Sequence, residues 1–418
     1  MRRPNRRNFI WGLTGFAWGI ACSYVFHAWI AHAGIRVPKP DQVFQRAVQI
    51  VLDRYVEPID AKQWFAQGLK LMVANLDAHS FYVSADERNL YGDHTRDKAS
   101  TGITVVLQDQ PNYPSKQLVI TAVAEDSDAA RHGLQPGDRI VKLRGKTIEE
   151  LNNQIEVDML LLGTVGTTIE MSVQKVRDNE VRPCRIVLAK QKEIATTYAQ
   201  VIQEQGRRIG LLRIAGFPEG SGHQIKETLQ SWLSKSRTSS STKPNNNLDG
   251  IVFDLRGNPG GEIKEALILA DALLDSGMLT RIRGRGGQIL REEFAHPAVI
   301  DLKTPIVILQ DRYTASAAEL FTAALQDHNR AYVIGDQSYG KGSIQEFLGF
   351  KDGSLLRLTT SRYYSPLDKQ IDQRGVTPNM HLHMHLHLAH SHQTKREDPG
   401  LTAAIDHITG RSKRESER

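Results

Sequence analysis

The sequence predicts a two- to three-domain α/β protein in which a mostly-β domain precedes an α/β core. Three observations predict it. Strand-like and helix-like segments alternate from Ile209 to Thr360, short alternating strands separated by Gly and Pro turns fill about Ala99 to Lys190, and a three- and four-residue apolar rhythm marks Pro40 to about Asp97. At 418 residues the chain is long enough for separate cores, and 40% hydrophobic with 24% charged residues is ordinary for a globular protein. The formal net charge of +6 arises largely at the ends, at Arg2, Arg3, Arg6 and Arg7 and at Arg411, Lys413, Arg414 and Arg418. That distribution argues against nucleic-acid binding by the folded part.

Phe9 to Ala33 is nearly free of charge, carries Trp11, Trp18 and Trp29, and follows a basic prefix. It is long enough to span a bilayer, and the basic flank predicts a cytoplasmic N-terminus with an exported body. Arg6-Arg7-Asn8-Phe9-Ile10 has the look of a twin-arginine export signal, and Ala31-His32-Ala33 offers a cleavage site, so residues 1–34 are expected to be a signal peptide or a membrane anchor. Only two cysteines occur, and Cys22 lies in this apolar segment. A bridge to Cys184 is not expected, and the count leaves the compartment open.

In the helical part, Val43, Phe44, Ala47, Val48, Val51 and Leu52, and then Trp64, Phe65, Leu69, Leu71 and Met72, recur at three- and four-residue intervals. The β domain then opens at Gly102-Ile103-Thr104-Val105. A short helix over Ser127–Arg131 stops at Gly133, and the turn Pro136-Gly137-Asp138 feeds a strand at Ile140. A second helix end near Leu160 is followed by Gly163-Thr164-Val165-Gly166-Thr167 and another strand. In the core, Ser234 to Asn247 is rich in Ser, Thr, Lys and Asn and reads as a surface insertion.

Three core segments carry chemistry. Leu248–Leu255 is a buried-strand pattern ending in Arg256-Gly257-Asn258-Pro259-Gly260-Gly261 before a helix from Ile263 to Leu274, a turn suited to an anion or an oxyanion. Pro305–Leu309 is another buried strand, leading through Asp311–Ala315 to Ser316-Ala317-Ala318-Glu319 and an amphipathic helix. Ser-x-x-Glu is a capping box, so Ser316 is on these residues alone either a helix cap or a nucleophile at a strand-turn-helix junction. Gly335 to Lys341 matches seven positions of a phosphate-binding loop, yet Gly342 stands where a Ser or Thr should hold magnesium, and Ile344–Leu348 reads as a strand, so a P-loop NTPase fits poorly. A lysine between two glycines can instead be buried, lose its charge by desolvation and accept a serine proton. His223, His296 and His328 have no context that makes them better bases.

The order of the β-domain segments resembles a PDZ domain. Together with Leu76–Tyr82, the Leu255–Gly261 turn, Ser316–Glu319, Gly340–Gln345 and Tyr363-Tyr364-Ser365-Pro366, it is similar to the C-terminal processing peptidases, or tail-specific proteases, over roughly residues 40–380. The resemblance implies a ClpP/crotonase-like α/β protease core over 191–380 with a PDZ domain over 99–190 inserted after a helical region over 35–98. By resemblance Ser316 is the nucleophile, Lys341 the general base and Gln345 the residue that orients the lysine, with the N–H groups of Gly257 and Ala317 as oxyanion donors. In the PDZ domain Gly102, Ile103, Thr104 and Val105 would hold a peptide's free C-terminal end. Thr104 departs from the family's second glycine, Gly257 from its usual asparagine and Leu367-Asp368-Lys369 from a Gly-containing stretch.

The implied function is a serine endopeptidase that cleaves exported proteins near their C-termini, in a bacterial periplasm or anchored facing it, with no metal or organic cofactor. A noncatalytic PDZ peptide-binding protein is the alternative. The region 381–418 is read as a tail, in which His381, His383, His385 and His387 alternate with apolar residues. A strand would put these four on one face, as a metal cluster or as a solvated, pH-sensitive edge.

Overall fold

The computed structural model describes residues 39–77, 79–87, 99, 101–108, 116–124, 127–151, 154–161, 163–189, 197–204, 206–233, 248–298, 303–384 and 398–410. The expected N-terminal apolar segment, the Ser234–Asn247 insertion and His385, His387, His390 and His392 lie outside them. Among the described residues no helix is long and apolar enough to cross a membrane, and no group of three or more His, Cys, Asp or Glu side chains is placed to hold a metal.

The chain divides into two units between Gly68 and Leu69. Helix α1 (Pro40–Arg54) begins with a proline, which suits the first helical turn because its missing N–H has no partner there anyway. Helix α2 (Ala61–Ala74) follows. The helical rhythm expected as far as Asp97 is interrupted within the described residues. Phe81–Val83 is a strand, β1, recruited by long-range pairing with a strand near residue 357 that no local pattern announces.

The second unit next builds an antiparallel sheet from β2 (Ile103–Gln108), β3 (Gln117–Val123), β4 (Arg139–Leu143), β5 (Lys146–Thr147), β6 (Thr168–Gln174) and β7 (Val181–Val187), with β2 at its edge. Helix α3 (Asp128–Arg131) is capped by the Ser127 hydroxyl, which accepts the Ala130 N–H. The Pro136-Gly137-Asp138 turn is fastened by Asp138, whose buried carboxylate accepts the Gln135 and Val176 N–H groups and pairs with Lys175 at 2.6 Å. Helix α4 (Gln154–Leu161) lies across β2. This part has its own core, running from Ala99 through Leu118, Ile120, Ile140 and Val157 to Leu188 and including the buried thiol of Cys184.

A second sheet follows. Strands β8 (Thr197–Glu204) and β9 (Arg207–Ile214) pair antiparallel, and β9 then runs parallel with β10 (Gly250–Asp254), separated from it by helix α5 (Ser221–Leu233). Helix α6 (Ile263–Ala272), strands β11 (Met278–Arg283) and β12 (Ile289–Phe294), β13 (Ile306–Gln310), helix α7 (Ala317–Asp327) and β14 (Ala331–Gly335) come next. Strands β10, β13 and β14 are parallel neighbours, and every residue of β10 and β13 is buried. The continuous apolar runs in these strands reflect a sheet covered on both faces. One face carries α5, α6 and α7 around Phe217, Phe253 and Phe321.

Beyond β14, β15 (Ser343–Gly349) and β16 (Leu355–Tyr364) form a hairpin in a third, antiparallel sheet with β1, β11 and β12. Strand β17 (Met380–His381) adds parallel to β14, and helix α8 (Pro399–Thr409) packs Leu401, Ala404 and Ile405 on the other face of the parallel sheet. The region read as a tail therefore contains a docked helix. Its signals were local: Asp398 caps it, Pro399 opens it, and Gly410 closes it in the left-handed conformation.

Phe321 sits behind the first turns of α7, its ring 5.3 Å from that of Phe253 and 6.1 Å from that of Phe217. Phe321→Ala is expected to cost about 3–5 kcal/mol of stability, measured by urea unfolding. A loss under about 1 kcal/mol would show that this core does not brace α7.

Candidate active site

The three chemical segments are the loops that leave the C-terminal ends of β10, β13 and β14, the edge where parallel sheets bind their ligands. At the β13–α7 junction Ser316 has φ 56° and ψ −119°. A non-glycine residue held there stores strain of about 1–3 kcal/mol, the signature of a serine presented on a sharp turn. Its N–H donates to Glu319 Oε2 at 2.8 Å, the exchange a capping box makes. Capping alone does not explain the strained backbone, since a cap residue normally takes extended angles.

Glu319 is completely buried and accepts from four donors. Oε1 takes the Ser338 hydroxyl and the Gly340 N–H, both at 2.6 Å, while Oε2 takes the N–H groups of Ser316 and Lys341, both at 2.8 Å. The backbone nitrogens of Ser316 and Lys341 thus share one oxygen atom and can be no further apart than twice that distance. Burial pushes the Glu319 carboxyl up to about 7 against the pull of its four donors.

Lys341 leads into β15, a strand, as the sequence indicated and as a phosphate-binding loop would not. Gly342 on one side must be glycine, because a Cβ there would lie 2.4 Å from the Asp372 nitrogen. The lysine is held well below its ordinary value, first by burial and then by the positive charge of Arg357, while Asp158 and Glu319 pull it back up. Asp158 comes from α4 of the β domain and is itself raised by burial. His79 also lies within electrostatic reach and is held below its ordinary value by burial and by Lys341. Asp77 fixes the His79 backbone by accepting its N–H at 2.7 Å. Among the described residues no hydrogen bond joins Ser316 to Lys341.

Two of the expected site residues have other partners in this structure. Gln345 does not bond Lys341; its amide donates to Ser343 and Thr359, and its carbonyl oxygen accepts Arg357 at 2.8 Å, so it reaches the lysine only through the arginine. The Gly257 N–H is not free for an oxyanion, because both oxygens of the buried Asp311 carboxylate take it, at 3.0 and 3.1 Å. Burial raises Asp311 to about 6, and the same carboxylate holds the N–H groups of Tyr313 and Thr314. It thereby ties the glycine turn to the Ser316 turn, aided by the Ala315 N–H donating to the Asn258 carbonyl at 2.9 Å. The residue that approaches the serine is Gly260, where a Cβ would lie 2.8 Å from Ser316 Cβ and 2.9 Å from the Ala317 nitrogen. The Ala317 N–H is without a hydrogen-bond partner among the described residues.

In the β domain, Gly102 takes φ 77° and Ile103, Thr104 and Val105 begin β2 at the sheet edge. That edge is covered. The Gln154 side chain accepts the Leu107 N–H at 2.6 Å and donates to the Val105 carbonyl at 3.1 Å and to Asp158 at 2.8 Å. The hydroxyl of Tyr339, two residues before Lys341, donates to the Leu107 carbonyl at 3.2 Å.

Residues 208–382 match the model of peptidase family S41, and residues 119–175 match that of a PDZ domain. A carboxy-terminal-processing protease of Bartonella bacilliformis is 31% identical over 340 residues, covering 81% of this chain and 73% of that protein. The chloroplastic carboxyl-terminal-processing peptidase 2 of Arabidopsis thaliana is 27% identical over 78% of this chain and 62% of its own length, and the carboxy-terminal processing protease CtpB of Bacillus subtilis 24% identical over 80% and 66%. The solved photosystem II D1 C-terminal processing protease, 24% identical, shares the fold with a TM-score of 0.63 over 83% of this chain and 94% of that one.

The Glu319 arrangement has opposite consequences for stability and reactivity. With its value raised from 4.5 to about 7, Glu319 binds a proton more tightly folded than unfolded, so its contribution to stability is full below pH 4.5 and is lost as pH rises through 7. The four donors, by contrast, need the ionised form. Between pH 4.5 and 7 the stability of the wild type relative to Glu319→Gln should fall, while phosphonylation of Ser316 by a fluorophosphonate, with loss of fluoride, speeds up. Glu319→Gln should label roughly a hundredfold more slowly and lose the limb near pH 7. A wild-type labelling rate flat from pH 5 to 8 would remove Glu319 from this role.

Proposed function

The chain belongs to peptidase family S41 and is a serine peptidase of the carboxy-terminal processing kind, and on that premise we propose that Ser316 and Lys341 perform the chemistry. The observation that carries the assignment is the shared Glu319 oxygen, which fixes a strained serine and a buried, charge-depressed lysine to one atom. Neutral Lys341 Nζ takes the proton from Ser316 Oγ as the oxygen attacks the scissile carbonyl. The developing oxyanion faces the Ala317 N–H at the start of α7, where the helix dipole favours negative charge. The lysine ammonium then returns its proton to the departing amine, leaving an acyl-enzyme. Water repeats the sequence with Lys341 again as base, and Ser316 is released. Substrate entry would bring the serine and lysine into hydrogen-bond reach, as catalytic hydrogen bonds often form fully only in the complex.

We read the core as ClpP/crotonase-like, a reading supported by the parallel β9–β10–β13–β14 order with α5 to α7 on one face. The PDZ domain presents a substrate's free C-terminal tail to β2 in extended form. To pair with Val105 and Leu107 the tail must displace the Gln154 amide, and Gln154 also holds Asp158, whose charge favours protonated Lys341. Tail binding thus loosens a contact that restrains the base. Residues 1–34, by their basic prefix and apolar run, direct the enzyme to the periplasm or anchor it facing there. Protection of the chain from protease added to spheroplasts would overturn that placement.

Two tests bear on this reading. In the full chain carrying Ser316→Ala, Gln154→Ala should tighten binding of a labelled peptide with a free C-terminus about tenfold, the worth of the displaced hydrogen bonds. Equal binding of the amidated peptide would sink tail recognition. For the base, Lys341→Arg should be as inactive as Lys341→Ala in single-turnover peptide cleavage, since arginine keeps its proton. Ser316→Ala should stay folded and inactive; were the serine only a cap, about 1 kcal/mol of stability would go and cleavage would remain. Cleavage by a folded Lys341→Arg enzyme would move the base elsewhere, with His79 the neighbouring imidazole to test first.

A further inference from the structure

We infer that Asp398, which caps the C-terminal helix, is a positioning residue for the glycine turn beside Ser316 and acts through Arg256; this rests on the serine-peptidase reading of that site. Arg256 stands directly after β10 and Leu255, at the start of the turn, and its side chain is 1% exposed. Its guanidinium is gripped from two sides. Asp254 accepts Nε at 2.8 Å and Nη2 at 2.6 Å, and Asp398 accepts Nη1 at 2.9 Å and Nη2 at 2.7 Å. The same Asp398 Oδ1 accepts the N–H groups of Gly400 and Leu401 at 3.0 and 3.2 Å, so the start of α8 and the guanidinium share one atom.

The path from that atom to the nucleophile is short and consists of buried hydrogen bonds. Arg256 leads to Gly257, whose N–H is held by Asp311. Asp311 also holds Thr314, and the Ala315 N–H reaches back to the Asn258 carbonyl of the same turn. Gly260 closes the turn so near Ser316 that a Cβ at position 260 would lie 2.8 Å from Ser316 Cβ. A guanidinium that lost one of its two carboxylates would keep a buried donor without a partner and would shift toward Asp254, carrying the turn with it. Fork-to-fork pairing fixes direction as well as distance, which is what a turn packed against a reacting atom needs. Helix α8 is seated separately, Leu401, Ala404 and Ile405 packing on Val252, Val307, Leu309 and Ile334, so its stability and the Asp398–Arg256 bonds can be tested apart.

The experiment uses the full chain and compares wild type, Asp398→Asn, Asp398→Glu and Leu401→Ala. Asparagine caps a helix as well as aspartate but meets the guanidinium with one acceptor and one donor. Leu401→Ala loosens the helix without touching Arg256. Peptide cleavage is followed for kcat and KM, Ser316 phosphonylation by a fluorophosphonate for its rate, and melting for stability. Asp398→Asn should lower kcat and the labelling rate at least tenfold with KM within twofold of wild type, while Asp398→Glu, which restores both acceptors, recovers part of the loss. Leu401→Ala should melt earlier yet keep kcat well below its melting temperature. Wild-type labelling with Asp398→Asn equal to it would overturn this inference alone. So would equal loss of kcat in Asp398→Asn and Leu401→Ala, since helix anchorage would then be the whole effect. Failure of the wild type to label at Ser316 would overturn the peptidase assignment and this inference with it.

Discussion

One buried carboxylate organises the end of the sheet where the proposed catalytic residues lie. Glu319 belongs to α7, yet three of its four donors come from the Ser338–Lys341 loop and the fourth is Ser316. Loops at strand ends are the most mobile parts of most folds. Here a single pair of oxygens ties two of them to a helix whose far side is packed against Phe217 and Phe253. The strain at Ser316 persists because these bonds over-determine its backbone.

A second carboxylate extends the same logic sideways. Asp311 joins the turn after β13 to the turn after β10, and Arg256 joins that turn to α8 on the opposite face of the sheet. Both acids are buried among backbone N–H donors, the arrangement in which a hydrogen bond is strongest and an unmade one most costly. Precision at the serine is thus distributed over a polar lattice running from one face of the sheet to the other.

What the sequence disclosed follows from the range of the forces involved. The Pro136-Gly137-Asp138 turn, the short helix near Ser127–Arg131 and the buried strands 250–254 and 306–310 were legible because their causes lie within a few residues. Ser316 and Lys341 were legible as motifs. Glu319 looked like the far end of a capping box, because its other partners sit about twenty residues downstream. Asp158, Arg357 and His79 gather around Lys341 only through tertiary packing, and nothing in their local sequence announces it. The present partners of Gln345 and Gly257 are hidden for the same reason, since Arg357 and Asp311 reach them from positions distant in sequence. Helix α8 had legible caps at Asp398 and Gly410, but the histidine run before it dominated the reading of that region.

The covered edge of β2 also bears on how such a chain survives its own synthesis. Ile103-Thr104-Val105-Val106-Leu107 is an apolar, β-branched stretch on a sheet margin, the kind of sequence that templates pairing between molecules and seeds aggregates. A side-chain amide laid against Val105 and Leu107 satisfies the groups a neighbouring molecule would seek. A glutamine is a gentle guard. It offers one donor and one acceptor where a docking strand offers a whole ladder, so it deters a stray contact, and under the proposed tail recognition it would yield to a well-matched extended chain. On that reading, one residue would reconcile protection of the edge with peptide capture.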